Sequence, residues 1–95
     1  VEQLVQAGIE HRQQGRFAQA REAYDEAIAL DPAYVVPVLN LAILNDLYLG
    51  DRERALELYE RFLAMTPVAD AGNVPKWIAD LKNRKPAVAK GKESL

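Results

Sequence analysis

The sequence predicts an all-α fold, an α-solenoid of antiparallel helix-turn-helix repeats with about five helices, on three observations. A shift of 35 residues lays the chain on itself at small, aromatic and proline positions. Apolar residues recur at helical spacing, and a glycine or a proline stands just beyond each such run. The chain has 95 residues, 12 Lys+Arg, 14 Asp+Glu and no cysteine, a length that fits one domain with a modest core. Apolar residues at 49% and charged residues at 27% give the balance of a soluble globular protein. With no cysteine, a disulfide framework, a thiolate zinc site and a thiol nucleophile are excluded, so packing has to supply the stability. The longest uncharged stretch, Pro32 to Asn45, is short and interrupted by two prolines and two asparagines, so membrane insertion is not expected. Position 1 is Val, and no charged segment leads into an apolar one, as in an excerpt of a longer protein.

The 35-residue shift superimposes Val1 on Val36, Leu4 on Leu39, Ala7 on Ala42, Gly15 on Gly50, Ala20 on Ala55, Tyr24 on Tyr59 and Pro32 on Pro67. Small residues set how closely helices approach, and glycine and proline set where they end, so the coincidence has a mechanical meaning. It divides the chain into a first unit over 1–35, a second over 36–70, a capping helix over 71–85 and a flexible basic tail over 86–95.

In the first helix Leu4, Ala7, Gly8 and His11 share a face, and Gly15 ends the run because it can take a positive φ. Phe17, Ala20, Tyr24, Ala27, Ile28 and Leu30 form the stripe of the second, which Asp31-Pro32 stops because the residue before proline is pushed out of the helical region. The third runs from Val35 to Leu49, with Pro37 tolerated in its first turn. It is apolar almost all round, as a buried central helix should be. Gly50 ends it, Asp51 caps the fourth over Arg52 to Met65, and Thr66-Pro67 closes that one. Asn73-Val74-Pro75 opens the fifth, whose stripe of Trp77, Ile78 and Leu81 closes the open end of the array. Connections of two to four residues force the paired helices to lie antiparallel.

At these positions the chain resembles the tetratricopeptide repeat family. The resemblance rests on Leu4, Ala7, Gly8, Gly15, Ala20, Tyr24, Ala27 and Pro32, and on Leu39, Ala42, Gly50, Ala55, Tyr59 and Pro67. Leu4 and Leu39 replace the usual Trp, His11 and Asp46 the usual Tyr, and Phe62 an Ala, while the first unit carries one residue beyond the usual 34. The resemblance implies a concave groove lined by the first helix of each unit. Its positions here are Val5, Ile9, Arg12 and Gln13, then Asn40, Leu44, Leu47 and Tyr48. Some family members hold a peptide carboxylate with a Lys/Asn/Arg clamp. That pattern fails here, where Val5, Ile9 and Leu41 stand at the clamp's first Lys and its Asn positions, so an apolar or amphipathic segment is the expected occupant. Val5 and Ile9 are equally suited to being covered by another repeat or by upstream chain.

Catalytic chemistry finds no support. His11 is the single histidine, which excludes a His pair for metal, and it reads as a core-edge residue. Glu22, Asp25 and Glu26 read as a solvated face, with Arg21–Asp25 and Glu57–Arg61 as i, i+4 pairs. Gly15 and Gly50 are isolated, not a phosphate loop. No enzyme, cofactor or metal site is expected. Charge divides unevenly: residues 1–70 hold six bases, all Arg, and twelve acids, whereas 71–95 hold six bases and two acids. The basic end lacks interleaved aromatics after Trp77, so nucleic-acid binding is not expected; a solubilising face is the plainer reading and an anion-surface adaptor the weakest.

The function expected is a non-enzymatic module or scaffold that binds a partner protein or peptide in a groove. The alternative is self-association, a homodimer or assembly segment of a larger protein, since two units fall short of the usual three. Because Ala20 lets two helices approach closely, Ala20→Leu should overpack the contact and cost about 1–3 kcal/mol, read as a lower thermal midpoint.

Overall fold

The computed structural model describes residues 1–83; the expected basic tail and the last two residues of the expected capping helix lie outside them. Five α-helices follow one another: α1 Glu2–Gln13, α2 Phe17–Leu30, α3 Val35–Leu44, α4 Arg52–Met65 and α5 Val74–Asn83. A π-helical turn, Asn45–Leu49, continues α3, and a 3₁₀ turn, Val68–Asp70, precedes α5. No strand occurs among the described residues. Each helix packs mainly on its neighbours in sequence, α1 on α2, α2 on α3, α3 on α4 and α4 on α5, which is the order of a helical repeat.

The helix ends follow from local chemistry. Gly15 and Gly50 adopt φ of 76° and 69°, the left-handed region that side chains with a Cβ rarely enter. The Gly15 amide donates to the Arg12 carbonyl, 3.0 Å, and the Arg16 amide to that of His11, 2.8 Å, which satisfies carbonyls left open by the helix end. Asp51 caps α4, its Oδ1 accepting from the Arg54 amide at 3.1 Å. Of the expected helix-surface ion pairs, Glu57 pairs with Arg54 rather than Arg61.

One core holds the array together. Ala20, Ala27 and Tyr24 on α2, Val38, Leu41, Ala42 and Leu44 on α3, and Ala55, Leu58 and Tyr59 on α4 are buried side by side. Val74, Ile78 and Leu81 bring α5 into the same cluster. Gly8 is obligatory here, because a Cβ on it would stand 2.4 Å from Cε1 of the Tyr24 ring, inside any real contact distance.

α3 differs from its expected form. Ordinary α-helix stops at Leu44, and the last five residues before Gly50 form a π turn. Gly8, buried against Tyr24, has its counterpart in fully buried Ala42, 34 positions on, whereas Ala7 is only half-buried. Gly15 and Gly50, the two stops, are 35 apart. The residue in excess therefore falls between Ala42 and Gly50 rather than in the first unit. A π turn spends one more residue than an α turn, which is what absorbing it requires. Asn45 supports the wider turn: its buried amide Nδ2 donates to the Leu41 carbonyl at 2.9 Å, and its own carbonyl accepts from the Asp51 amide at 3.0 Å.

The two core tyrosines are not equivalent. The Tyr59 hydroxyl donates to Asp46 Oδ2 at 3.0 Å, whereas the buried Tyr24 hydroxyl has no hydrogen-bond partner among the described residues. Burial raises the Tyr24 pKa above the ordinary phenol value, with Arg12 opposing the shift. Tyr24→Phe should therefore stabilise the fold by about 1 kcal/mol, and Tyr59→Phe should destabilise it by about 1.5 kcal/mol. Thermal midpoints of the two variants moving in the same direction would contradict this. The raised Tyr24 pKa also fixes a sign with pH: the neutral phenol favours the folded chain, a contribution complete below about pH 10 and lost as pH rises through the folded pKa. Tyr24→Phe should remove that part of the alkaline loss.

Candidate functional site

α3 and α5 stand on either side of a cleft of about 410 Å³ whose floor is Tyr59 of α4. One wall is Ile43, Asp46 and Leu47, spaced i, i+3, i+4 so that they share a face where α3 passes into its π turn. The other is Trp77 and Asp80, again three apart on one flank of α5. The lining is largely apolar, with two carboxylates at its edges, and the volume lies in the range of sites that hold small molecules or a few side chains.

The π turn shapes this wall. Leu47 is 64% exposed and Tyr48 48% exposed, both large apolar side chains presented to water by a turn that departs from the core's helical register. They point to different neighbours. Leu47 lines the cleft, while the Tyr48 ring stacks on Phe17 at the start of α2, centroids 4.9 Å apart and planes 29° off parallel. The stack ties the π turn to the first helical pair.

Two carboxylates give the cleft its polarity. Asp46 is half-buried and oriented by the Tyr59 hydroxyl. Asp80 is exposed. Trp77 leans on Tyr59, ring centroids 5.9 Å apart and planes 55° apart, and keeps 36% of its surface in solvent. Trp77 thus stands at the rim and not in the core beside Ile78 and Leu81, where its spacing had suggested. The stripe that α5 buries is Val74, Ile78, Leu81, at i, i+4, i+7; Trp77 sits one position off it, on the flank turned to α3.

The eight groove positions expected from the sequence separate into three groups. Val5 at 6% exposure and Leu44 at 0% belong to the core, where no partner reaches them. Leu44 packs inward because it is the last residue of regular α-helix, ahead of the π turn that carries Leu47 and Tyr48 outward. Ile9 and Arg12 are half-buried and Gln13 is exposed on α1; Asn40 is half-buried, its Nδ2 donating to the Val36 carbonyl at 3.1 Å. Only Leu47 of the eight lines the cleft, and Tyr48 flanks it. Ile43, Asp46, Tyr59, Trp77 and Asp80 join it instead, of which only the acids carried no apolar signal in the sequence.

Elsewhere the described residues hold no group of three His, Cys, Asp or Glu that could share a metal ion. Glu22, Asp25 and Glu26 are exposed on α2. His11 is half-buried, its Nδ1 enclosed without a hydrogen-bond partner among the described residues. No helix of the described residues is long and apolar enough to cross a membrane.

No curated protein and no solved structure matches the chain. A family model does: residues 1–34 match the tetratricopeptide repeat, over the first helical pair and the turn that follows it. Five helices in sequential antiparallel order fit two such repeats and a further helix. Tetratricopeptide repeats are generally protein-interaction modules and scaffolds without enzymatic activity. Residues 1–34 are thus similar to a tetratricopeptide repeat, and the all-helical order of the described residues is consistent with a repeat fold of that kind.

Proposed function

We propose that the chain is a non-enzymatic interaction module that holds a segment of a partner protein or peptide in the cleft between α3 and α5. The observation that carries this reading is the cleft itself, about 410 Å³ of largely apolar space beside a Leu47 that leaves most of its surface in water. A clustered apolar surface left exposed on a folded protein is uncommon, and such patches mark interaction sites. Leu47, Ile43 and Trp77 supply the apolar contact, and Tyr48 extends it towards the first repeat. Ile9, Arg12 and Gln13 of α1 and Asn40 of α3 serve as outlying contacts. Val5 and Leu44 act only by supporting the fold.

The two-helix walls suit an extended or short helical segment, whose side chains enter between helices at alternate or i, i+4 positions. Cavity volume restricts how much can enter. Space of about 410 Å³ accommodates two or three side chains, so affinity rests on a short anchor and not on a long wrapped segment.

Leu47→Ser with Trp77→Ala should lower recovery of partners from an extract of the source cell about tenfold, while circular dichroism shows the same helix content. The expectation fails if recovery is unchanged. Light scattering that showed a stable dimer of the parent, dissociated by the same substitutions, would assign the strip to pairing of two chains instead.

A further inference from the structure

The cleft combines features that select for charge as well as for apolar surface. Asp46 and Asp80 enter it from opposite walls, and among the described residues its lining is otherwise apolar or aromatic. Asp46 is held in place: the Tyr59 hydroxyl donates to its Oδ2 at 3.0 Å, so the carboxylate is oriented before anything binds. Asp80 lies one helical turn beyond Trp77, whose partly exposed ring borders the same space. An indole face beside two carboxylates is a good environment for a cation, which gains from the ring quadrupole and from both charges.

We infer that the occupant of the cleft is a peptide segment that places a Lys or Arg next to a large apolar side chain. The inference rests on the groove reading above and adds the sign of the charge. The apolar side chain lies on Ile43 and Leu47. The cation lies against Trp77 within reach of Asp46 and Asp80. An acidic segment is disfavoured, because its carboxylate would be brought to the oriented Asp46 and the exposed Asp80, a like-charge juxtaposition.

Selection of a random library of peptides about twelve residues long on the full chain tests this, read together with the emission of Trp77, the only tryptophan in the protein. Enriched peptides should pair Lys or Arg with a large apolar residue, shift Trp77 emission saturably, and bind about fivefold more weakly to Asp80→Asn. Their affinity should also fall as salt rises from about 50 to about 500 mM. Asp80 is exposed and off the buried stripe, so Asp80→Asn should keep the parent's melting temperature, and binding losses then report charge. Enriched peptides that depend on Leu47 and Trp77 but carry no basic residue, or that bind Asp80→Asn as tightly as the parent, overturn the charge inference and leave the groove reading standing. A library that yields no peptide sensitive to Leu47→Ser or Trp77→Ala overturns both.

Discussion

The close approach of α1 to α2 at Gly8 is the constraint on which the rest of the structure depends. A glycine there lets the Tyr24 ring lie where a Cβ would otherwise be, 2.4 Å from it, and that ring then fills the core at full burial. In the second pair the matching place is taken by Ala42, buried with Tyr59. Small residues on one helix and one large ring on the next convert an otherwise interchangeable hydrophobic surface into a fixed spacing and orientation. Once two helical pairs are held in that relation, α3 lies between its neighbours and α5 can lay Val74, Ile78 and Leu81 on the exposed end of the core.

The difference between the two pairs is where the chemistry of the site originates. In the first, the tyrosine hydroxyl is enclosed with no hydrogen-bond partner among the described residues, and the ring serves packing alone. In the second, the tyrosine hydroxyl reaches Asp46 on the π turn, so a core residue positions a carboxylate in the cleft. The added residue in α3 is what makes the second arrangement possible. It places Asp46 beyond the regular helix and turns Leu47 and Tyr48 away from the core that Leu44 still serves.

Much of this was legible from the residues. The helix ends were set by groups whose local energetics leave little choice: glycine at positive φ, aspartate bonded to an N-terminal amide, and proline after the last turn. The close-packed small positions were legible because they recur. What could not be read was the phase of α3 after Ala42. A self-comparison with one fixed shift forces the surplus residue to one end of a unit, so Leu44 and Leu47 looked equivalent, although one is wholly buried and the other mostly exposed. Helical periodicity assumes 3.6 residues per turn, and a single π turn advances every later side chain by a different angle. Trp77 escaped for a related reason: beside Ile78 and Leu81 it reads as core, and only the neighbour on its flank decides that it borders a cleft.

The site therefore arises from the same excess residue that disturbs the repeat. A strictly periodic pair of units would bury α3 uniformly and present a wall dictated by the repeat pattern itself. Here five residues depart from that pattern without breaking the helix, because Asn45 supplies a side-chain bond to the Leu41 carbonyl and Gly50 supplies the left-handed stop that closes the wider turn. The core is untouched, with Leu41, Ala42 and Leu44 all buried. The insertion thus leaves the apolar core in place, with buried Asn45 satisfied by the Leu41 carbonyl and Leu47 and Tyr48 carried to the surface. Burial and exposure are separated along one helix: Leu41, Ala42 and Leu44 hold the array, and Leu47 and Tyr48 beyond them are presented to solvent.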